Sequence, residues 1–255
     1  MLGNNDSSAP DNGAVRGENK YTLGILGGLG PFASAEFLRT IYEYSPGERE
    51  QLLPRVVLYS DPTFPDRTDT LLNGSHAELL ERFIEALHKL CELGVSNVVV
   101  CCVTIHYLLS ELPSELREKI ISLVDIIFAE TIQKRQRQLL FCTHGSRKLG
   151  IFRSHRHWER AEEFIVLPNE TDQETIHTMI YKMKSGQDID SHVPVLAALL
   201  SKYEVDSFIA GCTEMHLLSK RVAMTDRYDC IDPLISVARS LSAAAEQTAK
   251  HVAFR

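Results

Sequence analysis

Long apolar runs are missing from this sequence. The longest, such as Asn97 to Cys102, have the length of a strand and fall far short of the ~20 residues that cross a bilayer. No membrane span is therefore expected. The first twenty residues carry no hydrophobic stretch of the kind that marks a secretory leader, so the cytoplasm is the expected address. Long basic runs are absent as well. With 27 Lys and Arg against 34 Asp and Glu the net charge is −7, which argues against nucleic acid as a partner. Six cysteines occur, none in a Cys-x-x-Cys pair, and the neighbours Cys101 and Cys102 would face opposite sides of a strand. A zinc site is not expected, and without an export signal the cysteines read as free thiols.

What remains is the profile of a folded globular chain. Hydrophobic residues make up 44% and charged residues 24%, which excludes wholesale disorder, collagen and coiled coil. At 255 residues the chain is long enough for one large domain or two small ones, since domains run to about 150 residues. Residues 1–19 hold too little apolar surface to offset ordering entropy and read as a flexible tail. A short apolar run from Tyr21 to Leu26 then ends in Gly27-Gly28-Leu29-Gly30-Pro31 and opens into a helical pattern through Phe32, Ala35, Phe37, Leu38 and Ile41. Strands are expected at 56–60, 97–102, 139–142 and 207–211. Between them lie helical patterns, one of them opened by the capping box Ser75-His76-Ala77-Glu78. Alternation of this kind implies parallel sheets covered by helices. The last strand, Tyr228 to Ile231, and the Ala-rich helix after Pro233 are expected to pack back on the first sheet.

A weak internal repeat carries the functional reading. Val98 to His106 and Phe208 to His216 both run apolar strand, cysteine, threonine within two residues, and histidine four after the cysteine. The two cysteines are Cys102 and Cys212. In parallel α/β sheets ligands bind beyond the carboxyl ends of the strands, where each of these residues would sit. A cysteine between a strand and a helix lies near the positive end of the helix dipole, which favours thiolate and lowers the pKa from its ordinary ~8.5. Two such groups facing each other suit removal of a proton from one face of a carbon and delivery of another to the opposite face. The carbon acid beside a carboxylate is weak, so such a site also needs a cation and hydrogen-bond donors for the carboxylate.

The residues resemble the cofactor-independent aspartate/glutamate racemases over roughly 22–249. The motifs that carry the resemblance are Gly27-Gly28-Leu29-Gly30-Pro31, Pro65-Asp66-Arg67-Thr68, Cys102-Val103-Thr104-Ile105-His106, Gly211-Cys212-Thr213-Glu214 and Ile231-Asp232-Pro233. The resemblance implies an α/β fold of two Rossmann-like lobes with parallel sheets, related by pseudo-twofold symmetry, and an active site between them. The expected division is 20–122 plus 228–255 for the first lobe and 123–227 for the second. It further implies an isomerase that needs no cofactor or metal, acts on a small acidic amino acid, aspartate above all, and forms a homodimer. Cys102 and Cys212 become the acid/base thiols, and Arg67 the clamp on a substrate carboxylate. Lys184, with Lys182 as fallback, becomes the partner of the side-chain carboxylate. Thr104, Thr143, Thr213 and Gly28 fall at substrate-binding positions, while Cys142 reads as core. Stand-alone members of this kind accompany nonribosomal peptide synthesis, which implies a supply of D-aspartate as one use.

Departures from the family pattern limit this. Val103 stands where the family carries Asn, removing an amide contact, and Leu29 replaces a Met at similar volume. His106 and His216 are expected to support rather than catalyse. Asp66, Glu214 and Asp232 could orient cations or cap helices. Arg147 and the cluster of Arg153, His155, Arg156, His157 and Arg160 read as solvated. Two alternatives stay open: a related cysteine isomerase or decarboxylase acting on maleate or a malonate, and a homologue that binds an acidic amino acid without turnover. The glycine loop lacks the full Gly-x-Gly-x-x-Gly pattern, which argues against a dinucleotide enzyme.

Overall fold

The computed structural model describes residues 21–45, 50–224 and 227–242; the tail read at 1–19 lies outside them. In chain order the elements are β1 (Thr22–Gly27), α1 (Pro31–Glu43), β2 (Arg55–Ser60), α2 (Arg67–Asn73), α3 (Ala77–Glu92), β3 (Asn97–Val100), α4 (Ser114–Arg117), α5 (Leu123–Lys134) and β4 (Gln138–Phe141). They continue with α6 (His144–Lys148), α7 (Trp158–Ala161), β5 (Ile165–Val166), α8 (Glu170–Lys184), α9 (Val193–Lys202), β6 (Ser207–Ala210), α10 (Met215–Ala223) and β7 (Asp229–Ile231). A 3-10 segment, Thr104–Glu111, follows β3 after three intervening residues, and the chain is helical again over 233–242.

Two parallel sheets form, ordered β2-β1-β3 and β5-β4-β6-β7. Each half sets its first strand in the middle, β1 between β2 and β3, β4 between β5 and β6. The correspondence extends one step further. Beside β3 lies a parallel bridge between Val98 and Ile120, and in the matching place beside β6 lies β7, with Phe208 opposite Cys230 and Ile209 opposite Ile231. The strand expected to return to the first sheet is thus the edge of the second. Topology explains this: after β6 the chain crosses over through α10 and comes back parallel to the strand it has just left, the usual course of a β-α-β unit. The four-residue pattern of Tyr228 to Ile231 carries no information about which sheet it joins.

Sheet strands are apolar on both sides because helices cover both faces. On one side of the first sheet α3 lays Leu79, Phe83, Ala86, Leu87 and Leu90 against Leu26, Val98 and Val100. Its start differs from the expected capping box. The helix begins at Ala77 behind His76, which makes no side-chain cap, and Ser75 Oγ accepts only the Ala77 N–H at 3.5 Å. On the second sheet α8, α9 and α10 bury Ile176, Ile180, Leu196, Leu200 and Leu218 with Phe141 and Phe208. A third cluster joins the halves. Leu23, Ile25, Phe37 and Ile41 of the first half pack with Leu140 and Ile209 of the second, with Ile127 and Phe128 of α5, and with Leu234, Val237 and Ala238 of the helical residues 233–242. Each fully buried aliphatic or aromatic side chain stabilises the fold by roughly 1.5–3 kcal/mol, so this shared core ties the two sheets firmly together.

Candidate active site

Both strand-end cysteines are buried at the seam between the sheets. Cys102 follows β3 by two residues and Cys212 follows β6 by two, so the matching topology brings corresponding positions of the two halves to one place. The two thiols interact electrostatically, and both act on Lys184. Cys102 in turn acts on the charge of Arg67. Cys142 lies in the shared core, where burial pushes its thiol up to about 12.

Arg67 opens α2. Asp66 caps it by accepting the Asp69 N–H at 2.9 Å. The Arg67 side chain turns inward, 7% exposed, instead of pairing with Asp66 or Asp69 on the surface. Its terminal nitrogens donate to the carbonyls of Pro65 at 2.8 Å and Leu29 at 2.5 Å, while Nε is buried without a partner. Backbone carbonyls therefore hold the guanidinium in place and leave a donor free for an anion. Burial works against its charge, but Cys102, Asp66 and Glu214 outweigh that and carry its pKa above the ordinary range.

The glycine loop supplies the floor. Gly28 has φ +84°, and a Cβ there would stand 2.3 Å from the backbone of Asp61, so the ends of β1 and β2 can approach only with glycine between them. Its backbone thus positions the neighbouring Leu29 carbonyl that holds Arg67.

Lys184, at the end of α8, is half-buried and Lys182 is exposed. The Lys184 Nζ lies 4.5 Å from the centre of the Tyr181 ring. Burial pulls the ammonium down, but Glu214, Cys212 and Cys102 raise it on balance, against the opposing charge of Arg67. Two cations thus flank two thiols. Tyr181, which no local motif singles out, donates its hydroxyl to Asp66 at 2.8 Å across the seam. Only the fold brings it there.

The threonines mostly bind protein. Thr104 Oγ1 lies 3.1 Å from Thr143 Oγ1 and 3.0 Å from Ser146 Oγ, and Thr143 caps α6 by accepting the Ser146 N–H. Thr213 donates to the Cys101 carbonyl at 3.1 Å. Each of these contacts except the cap crosses between the halves, so the hydroxyls fix the relative position of the two cysteine turns. Val103 is buried in the shared core.

The two histidines of the repeat part ways. His106 Nδ1 donates to the Cys102 carbonyl at 2.9 Å while Nε2 accepts the Leu123 N–H at 3.4 Å; burial first of all drives its pKa down to about 4. It stays neutral and pins the Cys102 turn. His216 instead donates from Nδ1 to Asp232 at 2.7 Å, with Thr40 Oγ1 2.9 Å from Nε2. Asp232 also caps the helical residues 233–242 through the Leu234 N–H. Arg147, expected to be solvated, is half-buried: it binds Pro168 and Glu170 and its charge acts on Cys142. In the basic cluster, His155 stacks on Phe128 with ring centres 4.0 Å apart and pairs with Asp125, whereas Arg153, Arg156 and Arg160 are exposed.

The expected low pKa at both cysteines fails for Cys212. Burial and the adjacent Glu214 push this thiol well above its ordinary value, and Lys184 only partly opposes them. The short first turn of a helix cannot outweigh a carboxylate in contact with the sulfur.

The chain belongs to the Asp/Glu/hydantoin racemase family, whose model matches residues 26–241; it is an isomerase of the racemase type. It is similar to the broad specificity amino-acid racemase RacX of Bacillus subtilis (strain 168), 21% identical over 209 residues, 76% of this chain and 86% of RacX. Among solved structures it resembles Picrophilus torridus aspartate racemase with TM-score 0.74 and 21% identity over 89% of this chain and 94% of that one. It also resembles the aspartate racemase homologue PH1733 of Pyrococcus horikoshii OT3, with TM-score 0.60 and 19% identity over 88% and 99%. These structures share its two-sheet α/β fold. Among the described residues no helix is long and apolar enough to cross a membrane.

Proposed function

We propose that this protein interconverts L- and D-aspartate by proton transfer between two thiols at Cα. The observation that carries this reading is the meeting, in one buried site, of Cys102 and Cys212 with the two cations Arg67 and Lys184. Two cations match the two carboxylates of an acidic amino acid. One thiolate takes the Cα proton, and the other thiol delivers a proton to the opposite face, so the proton count of the site is unchanged over a turnover. The unpartnered Nε of Arg67 suits a substrate carboxylate and offsets the charge that develops as Cα loses its proton. Supply of D-aspartate to nonribosomal peptide synthesis belongs to the same proposal, as does a homodimer, which sedimentation velocity tests.

Incubation with L-aspartate in deuterated water should yield D-aspartate carrying deuterium at Cα. Absence of exchange with either enantiomer of aspartate or glutamate would refute the racemase chemistry. Conversion of maleate without exchange would instead favour a cysteine isomerase of the same family.

A further inference from the structure

Glu214 holds a position that the chemistry so far leaves unused. It precedes α10 and is 2% exposed, yet it reaches back to the cysteine two residues before it. Cys212 Sγ donates to Glu214 Oε2 at 2.8 Å, and the Thr213 hydroxyl reaches the same oxygen at 3.4 Å. The other oxygen, Oε1, is buried without a partner. It abuts the glycine loop so closely that a Cβ on Gly30 would stand 1.9 Å away. A buried carboxylate with one oxygen empty and the other held by a thiol is costly unless it does something for that thiol.

We propose that Glu214 is the proton-holding partner of Cys212: its carboxylate keeps Cys212 as the thiol in the empty enzyme, so that Cys212 enters the turnover as the acid. The two halves, alike in backbone, give their cysteines opposite neighbours. Cys102 faces the Arg67 guanidinium, and Cys212 faces Glu214. The charged groups around Cys212 are Glu214 on its own turn, Lys184 from α8 and Cys102 from the facing turn; Arg67 acts on Lys184 and on Glu214, and Cys101 lies close to Glu214. Of these only Glu214 touches the Cys212 sulfur with an acceptor.

The assignment of base and acid rests on the racemase reading. In the forward sense the Cys102 thiolate takes the Cα proton and the Cys212 thiol gives up its own, leaving Cys102 protonated and Cys212 as thiolate. After release the proton returns from Cys102 to Cys212 through water in the emptied site. For the opposite enantiomer this second form must bind first. Because racemisation has an equilibrium constant of one, kcat/KM stays equal for the two enantiomers, and the asymmetry appears in kcat and KM taken separately.

Alkylation by iodoacetamide, followed at the Cys102 and Cys212 peptides by mass spectrometry between pH 6 and 10, tests the pairing without using turnover. The thiolate displaces iodide and forms the S–C bond, the thiol proton having gone to buffer. In the wild-type chain the Cys212 rate should keep rising beyond about pH 9.5, above the ordinary thiol range. In Glu214→Gln the loss of the negative charge should accelerate Cys212 alkylation at pH 8 by about tenfold, the effect of one unit of pKa. The rate at Cys102 should change far less. Glu214→Asp, which keeps a carboxylate, should stay close to wild type. A wild-type Cys212 profile that levels off at or below about pH 8.5, or one unaltered in a folded Glu214→Gln, would overturn the proposal. Deuterium exchange on the same samples separates the two ideas. Loss of all exchange in wild type refutes the racemase while alkylation still decides Glu214, and exchange with an unshifted Cys212 refutes Glu214 alone.

Discussion

At the scale of single residues, the sharpest expectation concerns Arg67. Its side chain is held by the Pro65 and Leu29 carbonyls with Nε left open, a geometry an ammonium does not reproduce, because lysine lacks the planar set of donors. Arg67→Lys should lower kcat/KM by at least about tenfold, or ~1.4 kcal/mol of transition-state stabilisation, in a chain that remains folded by circular dichroism. Near-normal kinetics would move the carboxylate clamp elsewhere. The cysteines divide in the same way. Cys102→Ala and Cys212→Ala should each abolish racemisation, since a two-base reaction needs both an acceptor and a donor. Cys91→Ala and Cys230→Ala, at partly buried positions outside the site, should change stability and leave turnover in place.

Among elements, the loop after β1 and the pairing of α8 with α2 govern how well the site is held. Gly28→Ala would force a side chain into a left-handed backbone and against the Asp61 backbone, at a cost on the order of 1–3 kcal/mol. A lowered urea midpoint and impaired kinetics should appear together, since the same loop carries the Leu29 carbonyl that holds Arg67. A variant with full stability would show that the loop can rearrange freely. Tyr181→Phe is a milder probe. It removes the hydroxyl that α8 donates to Asp66 at the start of α2, a net loss of about 1 kcal/mol for one hydrogen bond. It should raise KM several-fold with little change in the melting temperature, and an unchanged KM would mean that the contact has no part in binding.

For the whole molecule, the buried His106 sets an acid limit. Its folded pKa of about 4 lies below the ordinary 6.5, so between these values the unfolded chain binds a proton that the native state does not. Stability is therefore full above pH 6.5 and falls as the pH drops toward 4, by on the order of 2 kcal/mol between pH 7 and 5 from this residue. Urea midpoints at the two pH values should show this drop in wild type, and a reduced one in His106→Gln. Equal slopes in both would assign the acid sensitivity to other groups. Because the shared core includes residues from both sheets and from 233–242, unfolding should be a single transition, without separate melting of the halves.

The alternation of apolar runs, glycine turns and helical stripes was enough to set the class of fold. Local pattern decides helix or strand, and a strand apolar on both faces implies a covered parallel sheet. The candidate cysteines stood out because each ends an apolar strand of the internal repeat, whereas Arg67 and Lys184 were named through the family resemblance, their local sequence giving no sign of what they face. Tyr181 and Ser146 were not legible, because nothing near them in sequence distinguishes a surface hydroxyl from one facing the other half. The sheet joined by β7 was hidden for the same reason: its three residues pair with whatever strand the crossover places beside them. Sequence by itself thus determined the class of fold and offered the side chains on which the proposed chemistry rests. The tertiary structure alone decided that Cys102 faces a guanidinium and Cys212 a carboxylate, because the charge felt by a buried sulfur comes from groups the chain brings within a few ångströms, and the Arg67 that faces Cys102 lies 35 residues away.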